Sequence, residues 1–198
     1  TTRRSACGEE AMKFKEGKIL KKSHFDRNGK HYHVEFRYPK MSDAKEMLQY
    51  INAFVAENDM ILANKKMKLK EEKEWLKEVI NKSKKGDMIL LVTEVDGSIA
   101  GITELKRHVG RERHVGTFGI SVAKKYRRLG LSKDAFGFIE KIAKSNGISY
   151  IASSYFSGNK ASESLHKRLG FQIVGRFPKV CKINNIYQDG MMAYKRLK

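Results

Sequence analysis

The spacing of apolar residues switches repeatedly between the two periods open to a folded chain, and the order of those switches restricts the architecture more than any other feature. Tyr32, Val34, Phe36 and Tyr38 alternate with polar neighbours and mark a strand with one buried face. Residues 19–25 form the preceding arm, and Asn28-Gly29 supplies the positive φ values of a tight hairpin turn. Pro39 ends the second arm, and Ser42 or Asp43 caps a helix whose stripe is Ala44, Met47, Leu48, Ile51, Phe54 and Val55. A second helix over about 70–82 turns Trp75, Leu76, Val79 and Ile80 inward. After Gly86 the period returns to that of strands: residues 88–95, a turn at Asp96-Gly97, then residues 98–105. A further strand over 114–122 leads into a helix carrying Leu131, Ala135, Phe138, Ile139, Ile142 and Ala143 on one face, closed by Asn146-Gly147. A buried strand (148–153), a short helix ending at Gly170, and strands over 171–177 and about 189–195 complete the chain. A meander feeding a β-α-β unit predicts a mixed sheet with helices on both faces, an α/β (α+β) fold.

A chain of 198 residues suits one domain with a full core, assigned here to residues 13–198. Residues 1–12 lack periodicity and are expected to be a disordered leader or an expression remnant, with Met12 a candidate start. No apolar run approaches the roughly 20 residues that span a bilayer, and no secretory pattern is present, so no membrane partner is expected. Two cysteines, Cys7 and Cys181, cannot build a disulfide framework, which points to a reducing, cytoplasmic setting. Forty-one Lys and Arg against twenty-two Asp and Glu give a net charge of +19. That sign attracts nucleic acid, the ribosome, acidic protein tails or a polyphosphate cofactor, and equally describes a solubilising lysine-rich surface.

The segment Arg127-Arg128-Leu129-Gly130-Leu131-Ser132 joins a strand ending at Val122 to a helix. Free N–H groups of a first helical turn, with the helix dipole, bind anions. Gly130 admits close approach of a phosphate to the backbone, and Lys124, Lys125, Arg127 and Arg128 add charge. With its preceding strand Gly119-Ile120-Ser121-Val122, this segment matches the (Q/R)-x-x-G-x-(G/A) loop of one family, and Asn159 to Phe171 matches that family's N-x-x-A-x-x-L-Y-x-x-x-G-F segment. On these two motifs the chain, from about His31 onward, resembles the GNAT superfamily of N-acetyltransferases. The resemblance implies a GNAT-like central mixed, mostly antiparallel sheet of about seven strands flanked by about four helices, with an extra N-terminal hairpin strand. It also implies acetyl-coenzyme A as co-substrate and no metal. Its pyrophosphate would lie on the amides of Arg127, Arg128, Leu129, Gly130, Leu131 and Ser132, and its pantetheine arm along Ile120, Ser121 and Val122. Asn159 would contact the pantetheine or cap its helix, and Lys167 or Arg168 would reach the 3′-phosphate.

Two departures from the family pattern matter: Ser132 replaces the last Gly/Ala, and His166 stands where the family usually has the tyrosine that protonates the departing thiolate. His166 is thus the candidate acid, set against a reading as a packed helix-surface histidine, with Tyr155, Tyr187 or water as substitutes. Glu104, on the strand beside the cofactor strand, where the resemblance implies a carboxylate in several members, is the candidate base, set against a reading as an exposed strand glutamate. Thr117 occupies the position where many members carry another glutamate. Asp189 is expected near the acceptor amine. His31 and His33 share a strand face, but two histidines without a third ligand make a poor metal site.

The expected activity is acetyl transfer to a primary amine on a protein or peptide N-terminus, a lysine or a small amine, by direct attack in a ternary complex. The alternative is a basic nucleic-acid- or ribosome-associated module that keeps the fold without catalysis. Acceptor choice is assigned to the segments 57–68, 106–114 and 178–188, and the protein is expected to be a monomer or homodimer.

Overall fold

Two antiparallel runs of strand meet at one parallel seam, and that seam decides where the sheet can open. The computed structural model describes residues 13–27, 29–57, 65–183 and 185–197. Strands β1 (Ile19–Arg27), β2 (Lys30–Arg37), β3 (Met88–Val95), β4 (Ser98–Arg107), β5 (Val115–Val122), β6 (Tyr150–Phe156), β7 (Gln172–Ile183) and β8 (Ile186–Arg196) form one sheet in the order β1-β2-β3-β4-β5-β6-β8-β7. The helices are α1 (Ala44–Ala56), α2 (Leu69–Lys84), α3 (Leu131–Ser145) and α4 (Lys160–Arg168). Among the described residues only β5 and β6 pair in parallel, because α3 carries the chain across the sheet between them. The mixed, mostly antiparallel sheet with four helices and an N-terminal hairpin is therefore the fold that the sequence predicts.

Both faces of the sheet are covered. Tyr50 and Phe54 of α1 and Leu76, Val79 and Ile80 of α2 pack with Leu90 and Val92 on one face. On the other, Phe136, Ile139, Ile142 and Ala143 of α3 pack with Ile89, Leu91, Leu105, Phe118 and Ile151. Central β3 is accordingly apolar on both sides, a near-continuous hydrophobic run without strict alternation.

Some boundaries differ from the sequence-based expectation. The sixth strand begins at Tyr150 and runs to Phe156 instead of spanning 148–153. Residues 178–183, expected as loop, extend β7, with register shifts between Ile173/Gly175 and Phe177/Cys181. Pro178 is tolerated because β7 is the sheet edge and the proline falls within a bulge, where no ladder donor is needed. Asp43 does not cap α1; its carboxylate accepts from the Lys40 N–H at 2.9 Å and belongs to an ion cluster. The 1–12 leader, Asn28 and residues 58–64 lie outside the described residues.

That cluster centres on Arg37, 3% exposed. Its guanidinium donates to both oxygens of Asp43 at 2.7 and 3.0 Å and to both oxygens of Glu94 at 2.9 Å. Two bidentate forks thus tie β2, β3 and the entry to α1, and they hold the Glu94 carboxyl below its ordinary value. Replacing Arg37 by Ala leaves two carboxylates facing each other without their cation, and should cost about 3–5 kcal/mol in chemical denaturation. Lys22→Ala, at an exposed pair with Glu35, should cost less than about 1 kcal/mol in the same measurement.

Candidate functional site

The β5–β6 pairing stops at Phe118↔Ser153, yet β5 continues to Val122 and β6 to Phe156. Each strand keeps its other neighbour to the end: Val122 pairs with Gly101 of β4, and Phe156 with Gly190 of β8. The sheet therefore splits into two halves with a wedge between them. Strand backbone groups alternate sides. The Ala123 N–H donates to the Ala100 carbonyl at 2.8 Å, so Ser121 and Gly119 also turn toward β4, while Ile120 and Val122 turn their amides into the wedge. The Phe118 carbonyl follows this parity, accepting from Ser153 Oγ on β6 at 3.1 Å. Arg127 Nε donates to the Val122 carbonyl at 3.0 Å, leaving the Val122 N–H and both polar groups of Ile120 aligned along an open strand edge.

At the mouth of the wedge the chain makes a short 3₁₀ turn, Lys124–Tyr126, and reverses through Arg128 (φ +66°) and Gly130 (φ +79°) into α3. An added Cβ at Gly130 would meet no atom within 4 Å, so the left-handed backbone is what calls for glycine there. The N–H groups of Lys133 and Asp134 both turn back to the Gly130 carbonyl, at 3.0 and 3.5 Å, so the amides of Leu129 to Ser132 precede the helical ladder. Arg27, at the end of β1, donates to the Arg128 carbonyl at 3.2 Å and braces the loop. The Arg127 guanidinium lies 5.7 Å from the Phe54 ring centroid, fastening the loop to α1. Open strand edge and helix N-terminus are thus consecutive, a fit for a ligand with an amide-bearing arm and an anionic head.

On the α1/α2 face of β5, Ser121 Oγ accepts from Tyr50 Oη at 2.9 Å. Glu104 faces Gly119 across the β4–β5 pair and lies over it: a Cβ at Gly119 would sit 3.1 Å from Glu104 Oε1. Burial pushes the Glu104 carboxyl above its ordinary value, opposed by the nearby Lys106.

Other candidate residues lie elsewhere than expected. His166 is not on the helix surface; it is 4% exposed. Its Nδ1 meets the Ser162 carbonyl at 2.7 Å and its Nε2 meets Ser153 Oγ at 2.8 Å, so both ring nitrogens are engaged. Burial lowers its basicity. His166, Ser153 and Phe118 thereby bring α4, β6 and β5 together at the rung where the wedge begins. In the neutral ring Nδ1 donates to the Ser162 carbonyl, and the single Ser153 hydrogen is shared between Nε2 and the Phe118 carbonyl. Tyr155, half-buried on the open stretch of β6, packs against the His166 ring at 4.7 Å between centroids. Asp189 does not stand free for an amine: its Oδ2 accepts from Arg176 Nε at 2.6 Å and its Oδ1 from the Lys179 N–H at 2.7 Å, which holds the β7 bulge. Asn159 caps α4, accepting from the Ser162 N–H at 3.0 Å, near the open end of β6. Lys167 and Arg168 occupy the last turn of α4, following the buried His166. Tyr187 is exposed, flanked by Lys179 and Lys182. His31 pairs with Asp26, and His33 packs on His24.

Sequence reasoning missed Tyr50, Ser153 and Arg27. Tyr50 could have been found, since it falls on the apolar stripe of α1 where a hydroxyl needs a partner. Ser153 and Arg27 give no such signal, because their partners are 35 and 101 residues away.

His166 gives a stability test. Its folded-state pKa lies below the ordinary 6.5, so the unfolded chain binds the extra proton, and stability is lost as pH falls through about 6.5 toward the folded value. Denaturation between pH 7 and 5 should show this loss in the wild type and a shallower one in His166→Phe.

Residues 36–192 match the family model described as the acetyltransferase (GNAT) domain. Among curated proteins no sequence match is found. Solved structures similar to this chain include an acetyltransferase of the GNAT family from Streptococcus pneumoniae, 22% identical, with a TM-score of 0.75 over 83% of this chain and 99% of that one. A ribosomal-protein-alanine N-acetyltransferase from Brucella melitensis is 24% identical, with a TM-score of 0.72 over 82% and 99%. YncA, a putative acetyltransferase from Salmonella typhimurium solved with acetyl-CoA, is 18% identical, with a TM-score of 0.73 over 83% and 94%. At these identities the likeness establishes the fold, and the match to the family model, which spans most of the chain, establishes membership: this chain belongs to the GNAT acetyltransferase family and is an acyltransferase.

Proposed function

We propose that this protein transfers an acetyl group from acetyl-CoA to a primary amine by direct attack in a ternary complex. The observation that carries the reading is the wedge: an open β5 edge at Ile120 and Val122 that leads straight into the left-handed loop and free amides before α3. The backbone of Ile120 and Val122, with Ser121 held by Tyr50, would pair with the pantetheine arm, as Asn159 closes the opposite side. The amides of Arg128 to Ser132 would take the pyrophosphate. Lys167 or Arg168, in the last turn of α4, would reach the 3′-phosphate at the outer end of the cofactor. A thioester carbonyl placed on this edge would receive its hydrogen bond from the Val122 N–H, a preorganised donor for the charge that develops as the amine attacks.

Glu104 is the proposed base. It lies beside the reacting edge, and its raised pKa makes it a stronger proton acceptor than an exposed carboxylate. Tyr155, not His166, is the proposed proton source for the thiolate, because both nitrogens of His166 are already bonded. Asp189 is proposed to shape the acceptor side indirectly, by fixing the β7 bulge. The acceptor proposed here is a protein or peptide N-terminus. The net charge of +19 favours acidic or ribosome-associated targets over polycationic amines, and the similar Brucella melitensis protein is a ribosomal-protein-alanine N-acetyltransferase.

Acetyl-CoA should raise the Tm at low salt, and a peptide beginning with alanine should be acetylated. RNA that stabilises the protein while acetyl-CoA does not would support the non-catalytic alternative. Glu104→Gln should lower kcat by about 10²–10⁴-fold, the usual range for a lost general base. The acid limb of the wild-type pH–rate profile should lie above the ordinary carboxylate value of 4.5, since activity falls as Glu104 is protonated.

A further inference from the structure

A half-buried base that has taken a proton must release it before the next turnover, and the face of the sheet that holds Glu104 carries a chain of groups suited to that task. Glu104, Lys106 and His108 project from alternate positions of one strand, because the His108 N–H continues the β4–β5 pairing with a 2.9 Å bond to the Val115 carbonyl. On β5 the same face shows Gly119 opposite Glu104, then Thr117 opposite Lys106. Thr117 Oγ1 lies 2.8 Å from His108 Nε2. The 3₁₀ turn Gly110–Glu112 brings Glu112 back over the imidazole, with Oε2 2.8 Å from His108 Nδ1. A carboxylate only accepts, so Nδ1 carries the hydrogen and the neutral ring presents its Nε2 lone pair to the Thr117 hydroxyl. This is a hydroxyl–imidazole–carboxylate array in which each group orients the next. It also spans the face outward: Glu104 is half-buried, whereas Thr117 and Glu112 are exposed.

We propose that Thr117, His108 and Glu112 form the outlet by which the proton taken from the attacking amine leaves Glu104 for solvent. This inference rests on the assignment of Glu104 as base. As protonated Glu104 gives up its proton, directly or through one water, the Thr117 oxygen accepts it and the original Thr117 hydrogen passes to His108 Nε2. The imidazolium so formed is stabilised by Glu112, and its proton is then lost to solvent. One proton enters at the amine and one leaves at His108, and Glu104 and Thr117 return to their starting states. Lys106, on the rung of Thr117 between Glu104 and His108, favours loss of the proton from Glu104, and Glu112 beside His108 offsets its repulsion of the imidazolium. Diagonal neighbours across an antiparallel pair stand about 7–8 Å apart at Cα, within reach of a glutamate and one water. His108 and Glu112 are thus positioning and relay residues that need not touch the substrate.

The test has two arms. In the free protein, ¹H–¹⁵N spectra of the His108 ring should show hydrogen on Nδ1; hydrogen on Nε2 in the neutral ring would overturn the relay. In turnover with acetyl-CoA and an alanine-terminated peptide, His108→Ala should lower kcat by about 10–100-fold, as for a lost proton-transfer group. The KM for acetyl-CoA should be unchanged, imidazole in the buffer should restore the rate, and Glu112→Gln should show a smaller loss. An unchanged kcat in His108→Ala, or a loss that imidazole does not restore, contradicts the proposal. Glu104→Gln run in parallel separates the two readings. Inactive Glu104→Gln beside fully active His108→Ala removes the relay and keeps the base, whereas full activity in Glu104→Gln removes the base and the relay with it.

Discussion

Everything at this site depends on where β5 and β6 stop pairing. A parallel seam continued to Val122 would consume the amides of Ile120 and Val122 in the sheet, and no edge would remain for a ligand. The seam instead ends at Phe118↔Ser153, where Ser153 lies within hydrogen-bond reach of both the Phe118 carbonyl and the buried His166 ring of α4. The neighbouring antiparallel ladders keep each half straight beyond that point, so the separation costs few hydrogen bonds. The opening is therefore a property of the sheet, not of a mobile loop.

Around this opening the remaining parts act as supports. Arg27 and Arg127 spend their guanidinium groups on the carbonyls of Arg128 and Val122, so these two arginines position the loop and supply local positive potential together. Tyr50 fixes Ser121 from α1, and the buried Arg37 cluster holds the entry to α1 in place. Glu104 lies over Gly119 because glycine leaves room for it there; alanine would press on the carboxylate at 3.1 Å. The open β5 edge and Glu104 thus share one strand pair, and Glu104 lies on its α1/α2 face.

Much of the fold was legible in the sequence because it is written in local periodicity. Most of the stripes of α1 to α3, the Asp96-Gly97 turn and the bounds of β3 follow from spacing within one element, whereas the α3 stripe missed the buried Phe136 and β4 runs two residues beyond 105. The extension of β7 through Pro178 was not legible, since it depends on β7 being the sheet edge. The loop before α3 and its partner segment were legible as motifs, but the roles of individual side chains were not. His166 reads as an acid or a surface residue until Ser153, thirteen positions earlier, is seen to hold its Nε2. Asp189 reads as a substrate ligand until Arg176 and Lys179 are seen to use both its oxygens. Thr117 reads as the loss of a carboxylate until His108 and Glu112 are found beside it. Each of these depends on contacts between elements, which periodicity does not encode.

The central claim is that the alternate amides of β5 and the first turn of α3 receive acetyl-CoA. Residue-resolved hydrogen exchange, with and without acetyl-CoA, tests it most directly. The Ser121 amide, already turned toward β4, should be protected in both states, whereas Ile120, Val122 and Leu129 to Ser132 should exchange freely alone and become protected with the ligand. Unchanged exchange at Ile120 and Val122 under saturating acetyl-CoA would contradict the account.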